Sequence, residues 1–183
     1  MDDVTDWRWL EDTYWYVQPA QLPALQYDPD DNALAWVCDQ TVWHFTGYRD
    51  GYLWGVCATV MQSAGDDGGR PVDFTIVGSI TPEGRVYLTF VPARNSRSAT
   101  VGIGRATPHN GGTSMEMQMS SGSGTRTTHW AYMAQVKPGE PAWDRLPGAG
   151  ISVPQMLEGC EAPAAPPSPA DGQDAGAAGR NAR

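Results

Sequence analysis

Residues 41–61 form the segment that most limits what this chain can fold into. Asp50-Gly51 lies there between two runs rich in aromatic and β-branched residues. This dipeptide is a strong signal for a two-residue type I′ hairpin loop, because both loop positions need positive φ. A two-residue loop also fixes which residues pair across the two strands. The sequence therefore predicts a β-hairpin whose register can be stated residue by residue.

The predicted register defines an apolar face and a mixed face, since successive strand residues point to opposite sides. The predicted pairs are Arg49 with Tyr52, Gly47 with Trp54, Phe45 with Val56 and Trp43 with Ala58. The apolar face carries Trp43, Phe45, Trp54 and Val56, and the mixed face carries His44, Tyr48 and Cys57. A strand pair with one apolar face covers a core on one side only.

Two further strand pairs follow the same pattern. Around the loop Thr81-Pro82-Glu83-Gly84, the predicted pairs are Ile80 with Val86, Gly78 with Leu88 and Ile76 with Phe90. In the pair formed by residues 99–107 and 113–120, methionines at 115, 117 and 119 alternate with polar residues. A last strand, residues 125–136, is predicted to pair Met115 with Trp130, Met117 with Thr128 and Glu116 with His129, across a four-residue loop.

The whole pattern predicts an all-β fold. A helical turn at residues 5–10 precedes a strand at 13–18, and a turn at 27–32 leads into a short strand at 33–38. No ten-residue stretch between residues 13 and 136 has helical periodicity, so about eight or nine strands follow one another as a meander. We expect this sheet to close into an antiparallel up-and-down β-barrel, because no helix is available to cover the apolar faces. A two-sheet sandwich is the alternative architecture.

Length and composition predict one domain with a tail. The chain has 183 residues, which suits a single domain at residues 1–160. A one-turn helix with a Ser cap is predicted at 152–159. Residues 161–183 consist mainly of Ala, Pro, Gly and polar residues, and we expect them to be disordered because they cannot bury enough apolar surface to offset the entropy of ordering.

Charge and cysteine content exclude several classes of partner. The net charge is −9 and the pI is about 4.6, so we expect no nucleic acid and no membrane as partner. The three cysteines have no metal-ligand spacing, and no nucleotide or catalytic signature is present, so we expect neither metal nor cofactor. Residues 1–20 lack the apolar region of a secretory signal, and we expect a cytoplasmic protein.

The start of the first strand resembles a known superfamily. A helical turn followed by Thr13-Tyr14-Trp15-Tyr16 and a meander is similar to the calycin superfamily, the lipocalins and their relatives, whose first strand carries a Gly-x-Trp motif often followed by Tyr. Trp15 and Tyr16 match this motif, and Thr13 stands where the family has Gly. The resemblance implies a barrel closed at one end by Trp15 and open at the other to an apolar ligand. It also implies that Arg126 is the basic residue that packs near that Trp.

The leading functional hypothesis is a barrel that holds a small, mostly apolar molecule in its interior. Methionines and aromatic residues are suited to line such a pocket, and Arg105 could orient a carboxylate or an enolate. The predicted ligand-binding residues are Trp43, Phe45, Trp54, Phe74, Phe90, Arg105, Met115, Met117, Trp130 and Tyr132.

The alternative is a cofactor-free barrel enzyme, a cyclase, isomerase or lyase acting on a small hydrophobic substrate. It requires the mixed faces to point inward, with His44, His129 and Glu116 as the catalytic groups. The aromatic faces would then pack against a second copy in a homodimer. A partner-binding module with exposed aromatic residues is a third hypothesis. The orientation of Trp43 and His44 separates the first two, because adjacent strand residues face opposite sides.

Overall fold

A computed structural model describes residues 6–63, 69–93, 99–109, 112–121 and 125–167. Over these residues the chain forms nine strands and three short helices. They are a 3₁₀ helix at Arg8–Leu10, β1 (Thr13–Val17), β2 (Leu22–Asp28), β3 (Ala33–Arg49), β4 (Tyr52–Ser63), β5 (Val72–Ile80), β6 (Arg85–Pro92), β7 (Thr100–His109), β8 (Gly112–Ser121), β9 (Arg126–Val136), α1 (Pro141–Asp144) and α2 (Val153–Met156). Most of the predicted disordered tail, from residue 168 onward, lies outside the described residues.

The strands close into an antiparallel barrel, as predicted, and not into a sandwich. Strands β3 to β9 pair in sequence order, and β1 and β2 share the remaining position between β3 and β9. In one half of this position, Trp15 of β1 pairs with Trp43 and Gln135. In the other half, Leu25 of β2 pairs with Trp36 and Thr128. The result is a closed eight-strand barrel with one extra strand. Strand β2 was not predicted from the sequence.

Gln40 of β3 bridges the interruption between β1 and β2. Its Nε2 donates to the Val17 carbonyl oxygen at 3.0 Å, and its Oε1 accepts from the Gly148 amide at 2.6 Å. Both bonds lie where neither β1 nor β2 pairs with β3. One buried side chain therefore completes the wall and fastens the segment after α1 to it.

The C-terminal segment covers part of the outer wall. Leu146 and residues of α2 pack on Val42 and Ala58, which point outward from β3 and β4. The predicted Ser cap of α2 is present, since Ser152 Oγ accepts a hydrogen bond from the Gln155 amide at 3.2 Å. Among the described residues, no helix has the length and hydropathy needed to cross a membrane.

The second hairpin has the predicted register throughout, and Gly84 has a φ of +80°. The first hairpin agrees only near its tip, where Arg49 pairs with Tyr52 and Gly47 with Trp54. A β-bulge between Phe45 and Gly47 shifts the rest by one residue. Such a bulge inserts one residue into one strand only.

The bulge makes two predicted pairs wrong, because the prediction assumed an unbroken ladder. Phe45 pairs with Gly55 instead of Val56, and Trp43 pairs with Cys57 instead of Ala58. A side chain at position 55 would collide with the His44 carbonyl oxygen, so the tight crossing requires glycine. Because a one-residue shift exchanges the two faces of a strand, Cys57 points into the barrel, and Trp54 and Val56 point outward.

The predicted register between β8 and β9 is wrong by three residues. The structure pairs Met115 with Met133, Met117 with Ala131 and Glu116 with Tyr132. The prediction assumed a four-residue loop, whereas the last paired residues, Ser120 and Thr128, are separated by a longer connection. An odd shift turns the whole strand over, so His129 enters the barrel while Trp130 and Tyr132 point outward.

The barrel interior is a packed core over most of its length. The 3₁₀ helix covers one end, where Leu10 is fully buried and Trp7 Nε1 donates to the Pro82 carbonyl oxygen at 3.3 Å. Gly102 and Gly104 make room for methionine side chains, since a Cβ at either position would press on a methionine sulfur. The largest fully buried side chains of this interior are Trp15, Trp43, Phe45, Leu53, Ile76, Leu88, Met115, Met117 and Met133.

We expect Gln40→Ala to lower the free energy of unfolding by about 1–3 kcal/mol, because it removes partners from two backbone groups, the Val17 carbonyl and the Gly148 amide. Urea unfolding followed by circular dichroism measures the change. The matched control is Gln118→Ala on the exposed face of β8, which should change the free energy by less than about 0.5 kcal/mol. Equal effects of the two substitutions would contradict the bridging role of Gln40.

Candidate functional site

Four polar side chains meet inside the barrel, near the end opposite the 3₁₀ helix. Asp39 and Thr41 point inward from β3, Thr59 is paired with Thr41 from β4, and His129 points inward from β9. The side chains of Asp39 and His129 are only 1% and 8% exposed. We call these four residues the Asp39–His129 cluster. Charged and titratable groups are rarely buried in this way unless they are paired or functional.

The Asp39 carboxyl group is held by the two threonines. Thr59 Oγ1 donates to Asp39 Oδ1 at 2.6 Å, and Thr41 Oγ1 lies 2.8 Å from Asp39 Oδ1 and 2.8 Å from Thr59 Oγ1. These bonds fix the carboxyl group between β3 and β4. His129 Nε2 lies 3.7 Å from Asp39 Oδ2, which is too long for a hydrogen bond but within electrostatic contact.

His129 is held as a neutral imidazole by its surroundings. Burial lowers its pKa below the ordinary value of 6.5, and the nearby Asp39 opposes this shift only in part. Its Nδ1 is buried without a hydrogen-bond partner among the described residues. A neutral imidazole carries one N–H donor and one acceptor nitrogen. His129 can therefore donate a hydrogen bond to a small molecule beside it or accept one from it.

Trp43 brings a second unpartnered group to the same place. Its Nε1 is buried and meets no nitrogen or oxygen acceptor among the described residues. The neighbouring Cys57 thiol is only a weak acceptor for this N–H. Burial raises the pKa of that thiol well above the ordinary value, Asp39 adds to the shift, and the contact with Trp43 opposes it. Buried polar groups are satisfied in the great majority of cases, so each exception needs an explanation.

A small cavity lies against these groups. Its volume is about 60 Å³, roughly the share of two water molecules in the liquid. The residues that line it are Asp39, Thr41, Trp43, Cys57, Thr59, Met61, Phe74, Phe90, Thr100, Met119, His129 and Ala131. It is therefore an apolar cavity with one polar side, formed by the Asp39–His129 cluster and the indole of Trp43.

The structure divides the predicted ligand-binding residues between interior and exterior. Trp43, Phe74 and Phe90 line the cavity, while Phe45, Met115 and Met117 belong to the packed core below it. The remaining four lie on the outer wall and cannot line the interior: Trp54, Arg105, Trp130 and Tyr132. Trp54 is there because of the bulge in β3. Trp130 and Tyr132 are there because of the register of β9.

The predicted catalytic groups do not meet. His44 points outward, with its Nε2 2.9 Å from Asp12 Oδ1 and its ring stacked on Tyr14 at 3.9 Å. Glu116 is exposed on the outer wall opposite Tyr132 and Arg105, so its predicted pairing with His129 is wrong. The side chain of His109 lies outside the described residues.

Asp39, Thr41 and Thr59 were missed as site residues, although a signal for them was present. The predicted strand 33–38 stopped before Asp39, whereas β3 runs without a break from Ala33 to Arg49. Had it been joined to the predicted hairpin at residue 41, the alternation with Thr41 and the inward Trp43 would have placed the Asp39 side chain in the interior. The threonines are polar but β-branched, which suits a strand.

We expect His129→Gln to flatten the dependence of stability on acidic pH. In the wild type, His129 of the unfolded chain takes up a proton below about pH 6.5, whereas His129 of the folded chain stays neutral to a lower pH. The free energy of unfolding therefore decreases as the pH is lowered. Glutamine has no such titration and retains a polar side chain. Melting temperatures measured from pH 7.5 to 5.0 give the comparison, and parallel curves for the two proteins would contradict the buried neutral state of His129.

Comparison with known proteins assigns this chain to no family. The chain matches no protein-family model, no curated protein and no solved structure. The closed antiparallel barrel is consistent with a calycin-like architecture in general, and Trp15 is fully buried. Arg126, however, is exposed at the start of β9, opposite Tyr27, whereas Trp15 pairs with Gln135 near the other end of that strand. Its implied packing near Trp15 is therefore wrong.

Proposed function

We propose that this barrel binds a small, uncharged and mostly apolar molecule, and that the Asp39–His129 cluster and Trp43 hold its single hydroxyl or carbonyl group. The observation that supports this proposal is a pair of groups that have no nitrogen or oxygen partner among the described residues, Trp43 Nε1 and His129 Nδ1, beside a cavity in a largely apolar interior. Leaving a buried donor or acceptor without a partner costs about 1–3 kcal/mol. A ligand oxygen that accepts from the Trp43 N–H removes part of that cost.

The charges around the cavity favour a neutral ligand. Among the residues that the structure describes, its lining includes the Asp39 carboxyl group and a neutral His129 but neither Lys nor Arg. An anionic group placed there would lose its hydration without gaining a counter-charge, which is strongly unfavourable. Arg105, the residue expected to orient a carboxylate, lies on the outer wall.

The size of the cavity limits how much of the ligand it takes. A volume of about 60 Å³ is well below the 300–1,000 Å³ of pockets that enclose drug-sized ligands. The cavity accommodates a polar end and a few carbon atoms, and a longer apolar part would extend along Phe74 and Met119 toward the end of the barrel opposite the 3₁₀ helix. Burial of that part contributes about 25 cal/mol per Å² before the costs of association. This arrangement also agrees with the ligand position that the calycin resemblance implies.

We expect 2-pentanone to bind to the full chain and to shift the NMR signals of the inward-pointing methyl groups of Met61 and Met119. Pentane, which has the same chain without the oxygen, is the matched control ligand. Trp43→Phe removes the N–H donor and keeps an aromatic ring, so it should weaken 2-pentanone about five- to tenfold.

The same substitution should leave the binding of pentane unchanged, because pentane makes no hydrogen bond. Equal affinity for the ketone and the alkane in the wild type would contradict recognition of a polar group. Failure of both ligands to shift the methionine signals would contradict interior binding altogether.

The position of His129 also favours a second candidate function, proton transfer on such a ligand. A neutral imidazole in a largely apolar cavity, near a carboxyl group, is a competent general base. With the ketone oxygen bound to Trp43 Nε1, His129 would remove a proton from the adjacent carbon, and the electron pair of that C–H bond would form the enolate. Unlike a bound anion, this enolate would have a counter-charge, the His129 imidazolium that the same proton transfer creates. Return of a proton to another position is the reaction of an isomerase. This candidate replaces the predicted trio of His44, His129 and Glu116 with His129 and Trp43.

We expect a proton-transfer catalyst to exchange the hydrogens next to the carbonyl of 2-pentanone for deuterium in D₂O, which ¹H NMR measures directly. His129→Gln should reduce this exchange to the buffer rate while retaining binding, since the base is lost and the Trp43 donor is kept. His44→Gln, on the outer wall, is the matched control and should exchange at the wild-type rate. Wild-type exchange at the buffer rate would leave ligand binding as the function and exclude catalysis of this reaction.

A further inference from the structure

The bulge in β3 builds a second apolar surface, on the outside of the barrel. It turns Trp54 outward, where the indole lies across Gly47 so closely that a Cβ at position 47 would collide with the ring. Tyr52, Val77 and Tyr87 flank it and are 66%, 45% and 48% exposed. We call these four residues the aromatic groove. Together with neighbouring residues of the wall and with residues 163–167, they line a cavity of about 630 Å³. Exposed apolar patches of this kind commonly mark binding surfaces.

A short proline-rich segment of the chain already lies in this groove. Pro163, Ala164, Pro166 and Pro167 line it together with the aromatic residues. Arg49 Nη1 donates to the Pro166 carbonyl oxygen at 3.3 Å. Pro163 is half-buried, whereas residues 164–167 remain exposed. The segment is therefore seated lightly and covers only part of the surface.

The chemistry of the segment explains its fit. Proline fixes φ near −65° and disfavours the helical region in the residue before it, so residues 162–167 favour an extended polyproline II conformation. This helix has three residues per turn, which puts Pro163 and Pro166 on the same side. Its carbonyl groups have no internal partners and are free to accept a bond such as that from Arg49. Aromatic-lined grooves are a recurring means of recognising such segments.

We propose that the aromatic groove is a docking surface for a proline-rich segment of a partner protein, which displaces residues 163–167. A partner segment longer than residues 163–167 gains contacts with Tyr52 and Tyr87, which are 66% and 48% exposed beside those residues. The identical segment of a second copy has no such advantage. It would compete with a segment tethered close by, which begins seven residues after the end of α2 and whose effective concentration is in the millimolar range.

The test uses a synthetic peptide that repeats residues 161–167 twice, titrated into the ¹⁵N-labelled full chain. The backbone amide signals of Tyr52, Val77 and Tyr87 report on the groove. The double variant Pro163→Ala/Pro166→Ala weakens the seated segment, and both changes are outside the barrel wall. We expect the peptide to bind this variant about fivefold more tightly than the wild type, because the internal competitor is lost.

A matched pair of tyrosines shows whether binding is specific to the groove. In the double variant, Tyr87→Ala should weaken the peptide at least about fivefold. Tyr132→Ala on the outer wall of β9, where that tyrosine is 45% exposed, should leave the affinity unchanged.

Three results would overturn the proposal. One is the absence of shifts at the groove amides of the double variant with peptide up to about 1 mM. Another is an equal loss of affinity in the two tyrosine variants, which would show non-specific binding. The third is a concentration-dependent dimer of the full chain that the peptide dissociates, seen by sedimentation, which would assign the groove to exchange between copies.

Discussion

Alternation of side chains in a closed barrel is the constraint on which the rest of this structure depends. Successive residues of a strand point alternately into the barrel and away from it, so each pairing between strands also decides which side chains enter the interior. The bulge at Phe45/Gly47 is therefore decisive. It sends Tyr48 and Cys57 inward and Trp54 outward, so one additional residue both fills the interior and creates the groove outside.

The sequence predicted the features set by local chemistry and missed those set by distant contacts. The hairpin loop at Asp50-Gly51 and the register around Gly84 follow from turn geometry, and both were confirmed. The bulge depends on Gly55 lying close to the His44 carbonyl group. The hydrophobic periodicity of the sequence does not predict such a contact. The register of β9 depends on a connection whose length the residues do not fix, and that register decided whether His129 or Trp130 entered the barrel.

The candidate site was predictable only in its apolar part. Trp43, Phe74 and Phe90 were expected to line the interior and do line the cavity. Asp39 was not expected there, because a buried carboxyl group is unfavourable unless nearby donors compensate for its lost hydration. Thr41 and Thr59 provide those donors from two strands that pair directly. A packed apolar core would need none of these three residues, and their presence beside a cavity is what distinguishes this end of the barrel from the filled end.

The pairing of β1 with β9 has a consequence for how the molecule is made. Tyr14 and Val136 lie opposite each other in the wall, about 120 residues apart in the chain, and contacts of such long range form late and slowly. During synthesis, β3 to β8 can assemble as a meander before β9 has left the ribosome. Until then β1 lacks its second neighbour and the apolar interior stays accessible. We therefore expect the nascent chain to pass through an open sheet, which the final eleven-residue strand converts into a barrel.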